Sequence, residues 1–357
     1  MFARFIFLLL CAIAFTAVSA ATPNYPHVTP GYVMSFPKDE GSHEDFRIEW
    51  WYVTGWIKGA DQRERGFQVT FFRALPDGVA QDNPSKFSPQ QILFAHAALS
   101  DPAEKKLLHA QRAARAGFGL AGAKTGLTDV WINPWSLRQV GNGYRASVTT
   151  AQFTFDLSFE ETSPPLLNGK QGYSQKSPNP LAASYYYSIP QLAVRGSLTQ
   201  QGKTQNVTGV AWLDHEWSSE YMDSRASGWD WSGINFDDGG ALMVFRMRDK
   251  AGKTLWAGGT YRDARGDSRA LSPEDVEFMP LEVWQSPRTG AKYPVACKVR
   301  AGGQEISLEP LLKDQELDSG SAERAVYWEG AVRALRGGKA IGRGYLELTG
   351  YTNPLKF

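Results

Sequence analysis

At 357 residues, with 42% apolar and 21% charged side chains, the chain is long enough for two domains and too apolar to be disordered. A formal net charge of +1 excludes a strongly basic nucleic-acid binder. The outlying figure is 13% aromatic residues, 12 of them Trp, which suits either a very aromatic sheet core or a pocket for a hydrophobic ligand.

Met1 to Arg4 is a short basic start, Phe5 to Phe15 an unbroken apolar run, and Val18 and Ala20 are the small residues of a signal-peptidase site. Residues 1–20 therefore read as a cleaved signal peptide, the run being too short for an ordinary spanning helix. Cleavage removes Arg4 and Cys11, leaving balanced charge and one thiol, Cys297. The mature chain is expected to have no internal disulfide, no transmembrane segment and an exported location, periplasmic or secreted.

Beyond the leader, strand patterns dominate. The first cluster, Glu49 to Gly55, is preceded by Gly41-Ser42-His43; in an extended strand Glu49, Trp51 and Val53 face one way and Trp50, Tyr52 and Thr54 the other. Phe67 to Phe72, Phe153 to Phe159, Leu242 to Met247 and Tyr345 to Thr349 show period-two alternation. Turn residues separate them, among them Asn142-Gly143, Asn168-Gly169 and Asp237 to Gly240. Helical patterning is confined to Ala103–Ala116 and a short stretch, Ser272–Phe278. Many short strands with such turns predict an all-β chain of antiparallel barrels or sandwiches.

Trp212 to Ser219 forms the second cluster. Alternation sends Trp212, Asp214 and Glu216 to one face and Leu213, His215 and Trp217 to the other, so two carboxylates share a face. In the third, Gly228 to Gly233, Asp230 is flanked in sequence by Trp229 and Trp231 but points away from them. Paired carboxylates, or an imidazole within an aromatic wall, suit acid–base chemistry or a satisfied core network. Trp51 to Ile57 aligns with Trp229 to Asn235, and the two strands after each align in the same order, which predicts two copies of one β unit. The expected junction is 195/196, giving an N-terminal unit of 21–195 and a C-terminal unit of 196–357.

There is no G-x-S-x-G and no H-E-x-x-H. Gly117 to Gly122 matches G-x-G-x-x-G by letter but follows a helix-like stretch rather than a strand. His43, His96 and His215 are too scattered to predict a metal, and no cofactor is expected.

His43 to Gly55, Phe94 to Asp101, Gly172 to Ser174, Ser184 to Ser188, Asp214 to Trp217, Gly228 to Trp231, Tyr327 to Gly330 and Gly344 to Tyr351 together resemble the AttH-like family of predicted secreted hydrolases, related to the carotenoid 1,2-hydratases. The resemblance runs from about residue 30 to 357. It implies two lipocalin-like antiparallel β-barrel domains related by internal duplication. Two functional readings follow. In one, an aromatic cavity between the β units acts on an isoprenoid, polyketide or lipid-like molecule by acid-catalysed alkene hydration or cyclisation. In the other, the protein binds such a ligand without chemistry, as an accessory of an envelope ABC-transporter complex. The expected acid–base residues are Asp230, Asp214, His215, Glu216 and Glu49. The expected ligand contacts are Trp50, Trp51, Tyr52, His96, Trp217, Trp229 and Trp231.

Overall fold

The computed structural model describes residues 25–76, 90–318 and 326–354; the expected leader lies outside them. In the first sheet β1 (Ile48–Gly59), β2 (Glu64–Ala74), β3 (Ile92–Ser100) and β4 (Leu107–Arg115) form a meander. Short strands β5 (Ala121–Ala123), β6 (Asp129–Ile132) and β7 (Trp135–Gln139) lead to β8 (Gly143–Thr149) and β9 (Phe153–Glu160). Then β10 (Leu166–Leu167) and β11 (Tyr173–Gln175) pair with the long β12 (Ala183–Gln200), and β13 (Lys203–Ser218) returns to pair with β1. The order is β4-β3-β2-β1-β13-β12-β9-β8-β7-β6-β5. Its two edges approach each other, so the sheet curls into a nearly closed barrel.

The second sheet repeats the plan. A meander of β14 (Ala226–Phe236), β15 (Ala241–Asp249), β16 (Thr254–Arg262) and β17 (Ser268–Leu271) is followed by β18 (Val276–Gln285), β19 (Lys292–Ala301) and β20 (Gln304–Pro310). After the short β21 (Glu316–Asp318) come β22 (Val326–Arg336) and β23 (Lys339–Leu348), and β23 pairs with β14 as β13 pairs with β1. The chain passes between sheets between Ser218 and Ala226, and position 195/196 lies inside β12, which pairs continuously with β13 there.

The duplication is plainest in the charges. Glu49 sits directly across from Arg73 on β1 and β2, and Asp230 directly across from Arg246 on β14 and β15. Glu49 and Asp230 are thus equivalent positions, and the alignment of Trp51 with Trp229 drawn from the sequence is three residues out of register. Aromatic residues on both strand faces allow that slip, because letters alone do not reveal which face is which.

Two helical expectations are corrected. Residues 103–116 form a 3-10 turn, Pro102–Glu104, and then β4. Their Ala, Lys and Arg content favours a helix, but pairing with β3 along its full length overrides propensity. The second stretch keeps only the 3-10 turn Pro273–Asp275 before β18 begins.

Three apolar layers result. One fills the first barrel, one fills the second, and a third lies between the sheets around Tyr52, Trp56, Tyr186, Trp212, Trp231, Phe245 and Tyr345. β1 serves two layers at once, Trp51 and Val53 pointing into the barrel and Tyr52 and Trp56 out to the second sheet. The sheets are also tied by polar contacts: Trp56 Nε1 donates to Gly344 O at 3.0 Å, and Trp231 Nε1 to Tyr186 Oη at 3.0 Å. At a bulge between Ile189 and Leu192, Gln191 donates from its backbone to Asn235 Oδ1 at 2.8 Å.

Close approach needs Gly66. A Cβ there would stand 2.5 Å from Ala331 Cβ and 2.6 Å from Tyr345 Oη of the other sheet. Gly66→Val is expected to cost about 1–3 kcal/mol through overpacking, read as a lower urea midpoint with unchanged slope.

Candidate functional site

The expected site residues fall into three places. Inside the first barrel, fully buried Glu49 is the hub of a charge network. Arg73 Nε donates to its Oε2 at 2.9 Å, while His43 Nδ1 and His215 Nε2 lie 2.8 and 2.9 Å from its Oε1. Burial would raise the Glu49 carboxyl, but the Arg73 charge and the two imidazole bonds hold it well below its ordinary range. His43 also reaches Asp39 at 3.3 Å; burial opposes its charge, yet the bonds to Asp39 and Glu49 outweigh that and raise it. Burial lowers His215 despite Glu49, so its ring is neutral, with Nε2 donating to Glu49 and Nδ1 accepting from Tyr187 Oη at 3.1 Å.

This network sets two carboxyls, Glu49 and Asp39, against the Arg73 guanidinium and the His43 ring, whose proton affinity is raised. The His43 ring stacks on Trp217 with centroids 3.7 Å apart and 6° between planes. Ligand atoms of His43, Glu49 and His215 lie within 4.8 Å of one another, a spacing that a metal could use. A cation there would face the Arg73 guanidinium and displace bonds already made. Glu49, Trp51, His215 and Trp217 therefore belong to the barrel interior.

Asp230 occupies the equivalent place in the second barrel. Arg246 Nε and Arg248 Nε donate to it at 2.6 and 2.8 Å, and Tyr351 Oη at 3.0 Å. Two guanidiniums and the Tyr351 hydroxyl take up its oxygens, and its strand geometry turns it away from Trp229 and Trp231. Asp230→Asn is expected to lose about 3–5 kcal/mol of stability, because it leaves buried Arg248 without its partner, while turnover per folded molecule is unchanged. Thermal melts paired with active-site-normalised rates check both halves.

The third place is a cleft between the sheets. It is lined by Trp50, Tyr52, Gln68, Thr70, Phe72, Tyr186, Asp214, Glu216, Tyr221, Trp229, Trp231, Tyr327, Glu329 and Glu347, and leaves about 50 Å³ of space. Every strand that contributes does so by alternation: Trp50 and Tyr52 on β1, Asp214 and Glu216 on β13, Trp229 and Trp231 on β14. His96 stands beside it, with Nδ1 2.6 Å from Tyr327 Oη across the sheet interface. Burial lowers its pKa to about 4, so the ring is neutral.

Four carboxyls in a mostly aromatic cleft do not behave alike. Burial pushes Asp214 up to about 8, although Ser188 Oγ and Trp212 Nε1 donate to its Oδ1 at 2.5 and 2.7 Å. The acid is therefore protonated at neutral pH. Glu216 is also raised by burial, but Lys176 Nζ, 2.7 Å away, opposes the rise, and Ser184 donates a short hydrogen bond to it. Lys176 is itself buried and packs over the rings of Tyr186, Tyr221 and Phe245. Glu329 and Glu347 lie directly opposite on β22 and β23, and burial raises both.

Of the residues singled out in the sequence, Asp214, Glu216, Trp50, Tyr52, Trp229 and Trp231 line this cleft and His96 stands beside it; Glu329, Glu347, Tyr186, Tyr221 and Tyr327 line it too, with Lys176 behind Glu216, none of them singled out there. Glu329 follows Tyr327-Trp328 and Glu347 lies between Leu346 and Leu348. A carboxylate at an inward step of an apolar strand was the available signal.

An AttH-like family model matches residues 27–351. The chain belongs to the AttH-like family. A crystal structure from Nitrosomonas europaea described as an AttH shares 47% identity and a TM-score of 0.86, covering 91% of this chain and 99% of that one. Kievitone hydratase of Fusarium solani subsp. phaseoli is 24% identical over 220 residues, which take in 58% of this chain and 60% of that relative's length. The crystal structure of kievitone hydratase from Nectria haematococca has the same fold at 16% identity, TM-score 0.68, covering 91% and 95% of the two chains. The AttH-like fold here is accordingly two lipocalin-like antiparallel barrels.

Proposed function

We propose that the inter-sheet cleft hydrates an alkene of a hydrophobic small molecule, with Asp214 as the acid. The observation that carries this is a protonated carboxyl in an aromatic wall. Oδ1 accepts from Ser188 and Trp212, and Tyr186 also hydrogen-bonds the carboxyl, so the acid is held in place on the cleft wall. The alkene π pair takes the acid's proton to form a C–H bond, leaving a carbocation and an Asp214 carboxylate. Water then adds to the cation, and its surplus proton returns to Asp214, so the acid is restored each cycle. Trp50, Trp229 and Trp231 line the cleft, and an aromatic ring facing the transient cation is worth about 2 kcal/mol when desolvated. The similarity to kievitone hydratase supports the reaction class; the identity of the substrate is a further step.

The test is incubation with kievitone and a panel of isoprenoid alkenes in heavy-oxygen water, followed by mass spectrometry. Uptake of the heavy oxygen is expected for at least one substrate. Saturable binding across the panel without uptake would replace hydration by the carrier reading, with the envelope ABC transporter as the partner to examine. Export through the 1–20 leader belongs to the proposal in either case, and N-terminal sequencing of the secreted or periplasmic protein, expected to begin at Ala21, checks it.

A further inference from the structure

We propose that the cleft is also a binding site for compact ammonium groups, so that its natural ligand carries a cationic nitrogen head on an apolar body. This inference rests on the inter-sheet cleft being the ligand site. Its first support is the arrangement of Glu329 and Glu347. Two carboxyls directly opposite on neighbouring strands repel when both ionise. Among the described residues no lysine or arginine forms an ion pair with either; Lys176 serves Glu216 instead.

The second support is an unmet polar demand. Glu347 Oε2 accepts from Trp229 Nε1 at 2.9 Å, but Glu329, buried on the cleft wall, has only the hydroxyls of Tyr52 and Tyr327 beside it, and its Oε1 makes no hydrogen bond of good geometry. A buried carboxylate oxygen without a well-placed donor calls for one, or for a positive charge. The third is the lining. Trp50, Trp229 and Trp231 line the same cleft as these carboxyls, and aromatic side chains beside carboxylates suit alkylated ammonium. A cation placed there meets the ring quadrupoles, separates the Glu329–Glu347 pair and partners Glu329 Oε1. An uncharged head of the same shape gains only the apolar contact.

Choline and 3,3-dimethylbutan-1-ol, which differ by a central nitrogen in place of carbon, provide the comparison. Titration calorimetry of the full mature protein is expected to show choline binding about tenfold or more tightly than the neutral alcohol. Glu329→Gln and Glu347→Gln keep shape and remove charge; each should erase most of that preference while leaving the alcohol's affinity in place, which also reports that the variants are folded. Equal affinity for the two probes, no binding of either, or a preference that survives both substitutions would overturn the inference. Its fate is separable from hydration: heavy-oxygen uptake by a protein that fails the choline comparison removes the ammonium site alone, and a choline preference in a protein without uptake removes hydration alone.

Discussion

Asp214→Asn should lower hydration by about 10²–10⁴-fold while the protein remains folded and binds its substrate. Asparagine fills the same space and can still accept from Ser188 and Trp212, but it carries no acidic proton. The wild-type rate should be flat through neutrality and fall above about pH 8, where Asp214 loses that proton. Stability follows the same sign. The folded-state pKa lies above the ordinary carboxyl value, so this group's contribution is full in acid and is lost as pH rises toward about 8. Asp214→Asn should therefore melt at a higher temperature than wild type above that pH, where the wild type buries a charge. Rates and melting curves of both proteins across the pH range are the measurement; an unchanged rate in the variant would remove Asp214 from the mechanism.

Arg73→Met should lose about 3–5 kcal/mol, among the largest stability effects of any single substitution here. Both Arg73 and Glu49 are fully buried, and removing the guanidinium leaves an ionised Glu49 held by His43, His215 and the Ser42 hydroxyl. Arg73 also donates to the carbonyls of His43 and Phe46, each at 2.8 Å, so the substitution frees the segment leading into β1. Replacing both members, Glu49→Gln with Arg73→Met, should recover part of the loss, since the uncompensated charge is the main cost. Urea unfolding of the two single variants and the double variant measures the coupling. If cleft binding per folded molecule changes as much as stability does, the barrel network is more than a structural support.

Local alternation carried the faces of the key strands. Glu49 and Trp51 parted from Trp50 and Tyr52, and Asp214 and Glu216 from His215 and Trp217, as period two requires. Alternation does not say what each face meets. Both faces of β1 and β13 are buried, one in a barrel and one against the other sheet. An aromatic beside a carboxylate therefore looks the same in sequence whether it belongs to the Glu49 network or to the cleft. Asp230 shows the difficulty most sharply. Its Trp neighbours face the cleft, while its own partners, Arg246 and Arg248, come from β15. Glu329 and Glu347 become a pair only because β22 and β23 are adjacent and in register.

Strand period and turn residues were enough to indicate an all-β, duplicated chain, because those properties are local and repeat along the sequence; the AttH-like family was legible as a resemblance of motifs spread from His43 to Tyr351. The excess of Trp and Tyr could be read there only as core or pocket. The tertiary structure decides that it is both: some of these rings fill the barrels, and others wall a cleft with four carboxyls. That division rests on burial and on long-range strand pairing, which set whether a carboxyl is ion-paired, as Asp230 is, or protonated, as Asp214 is.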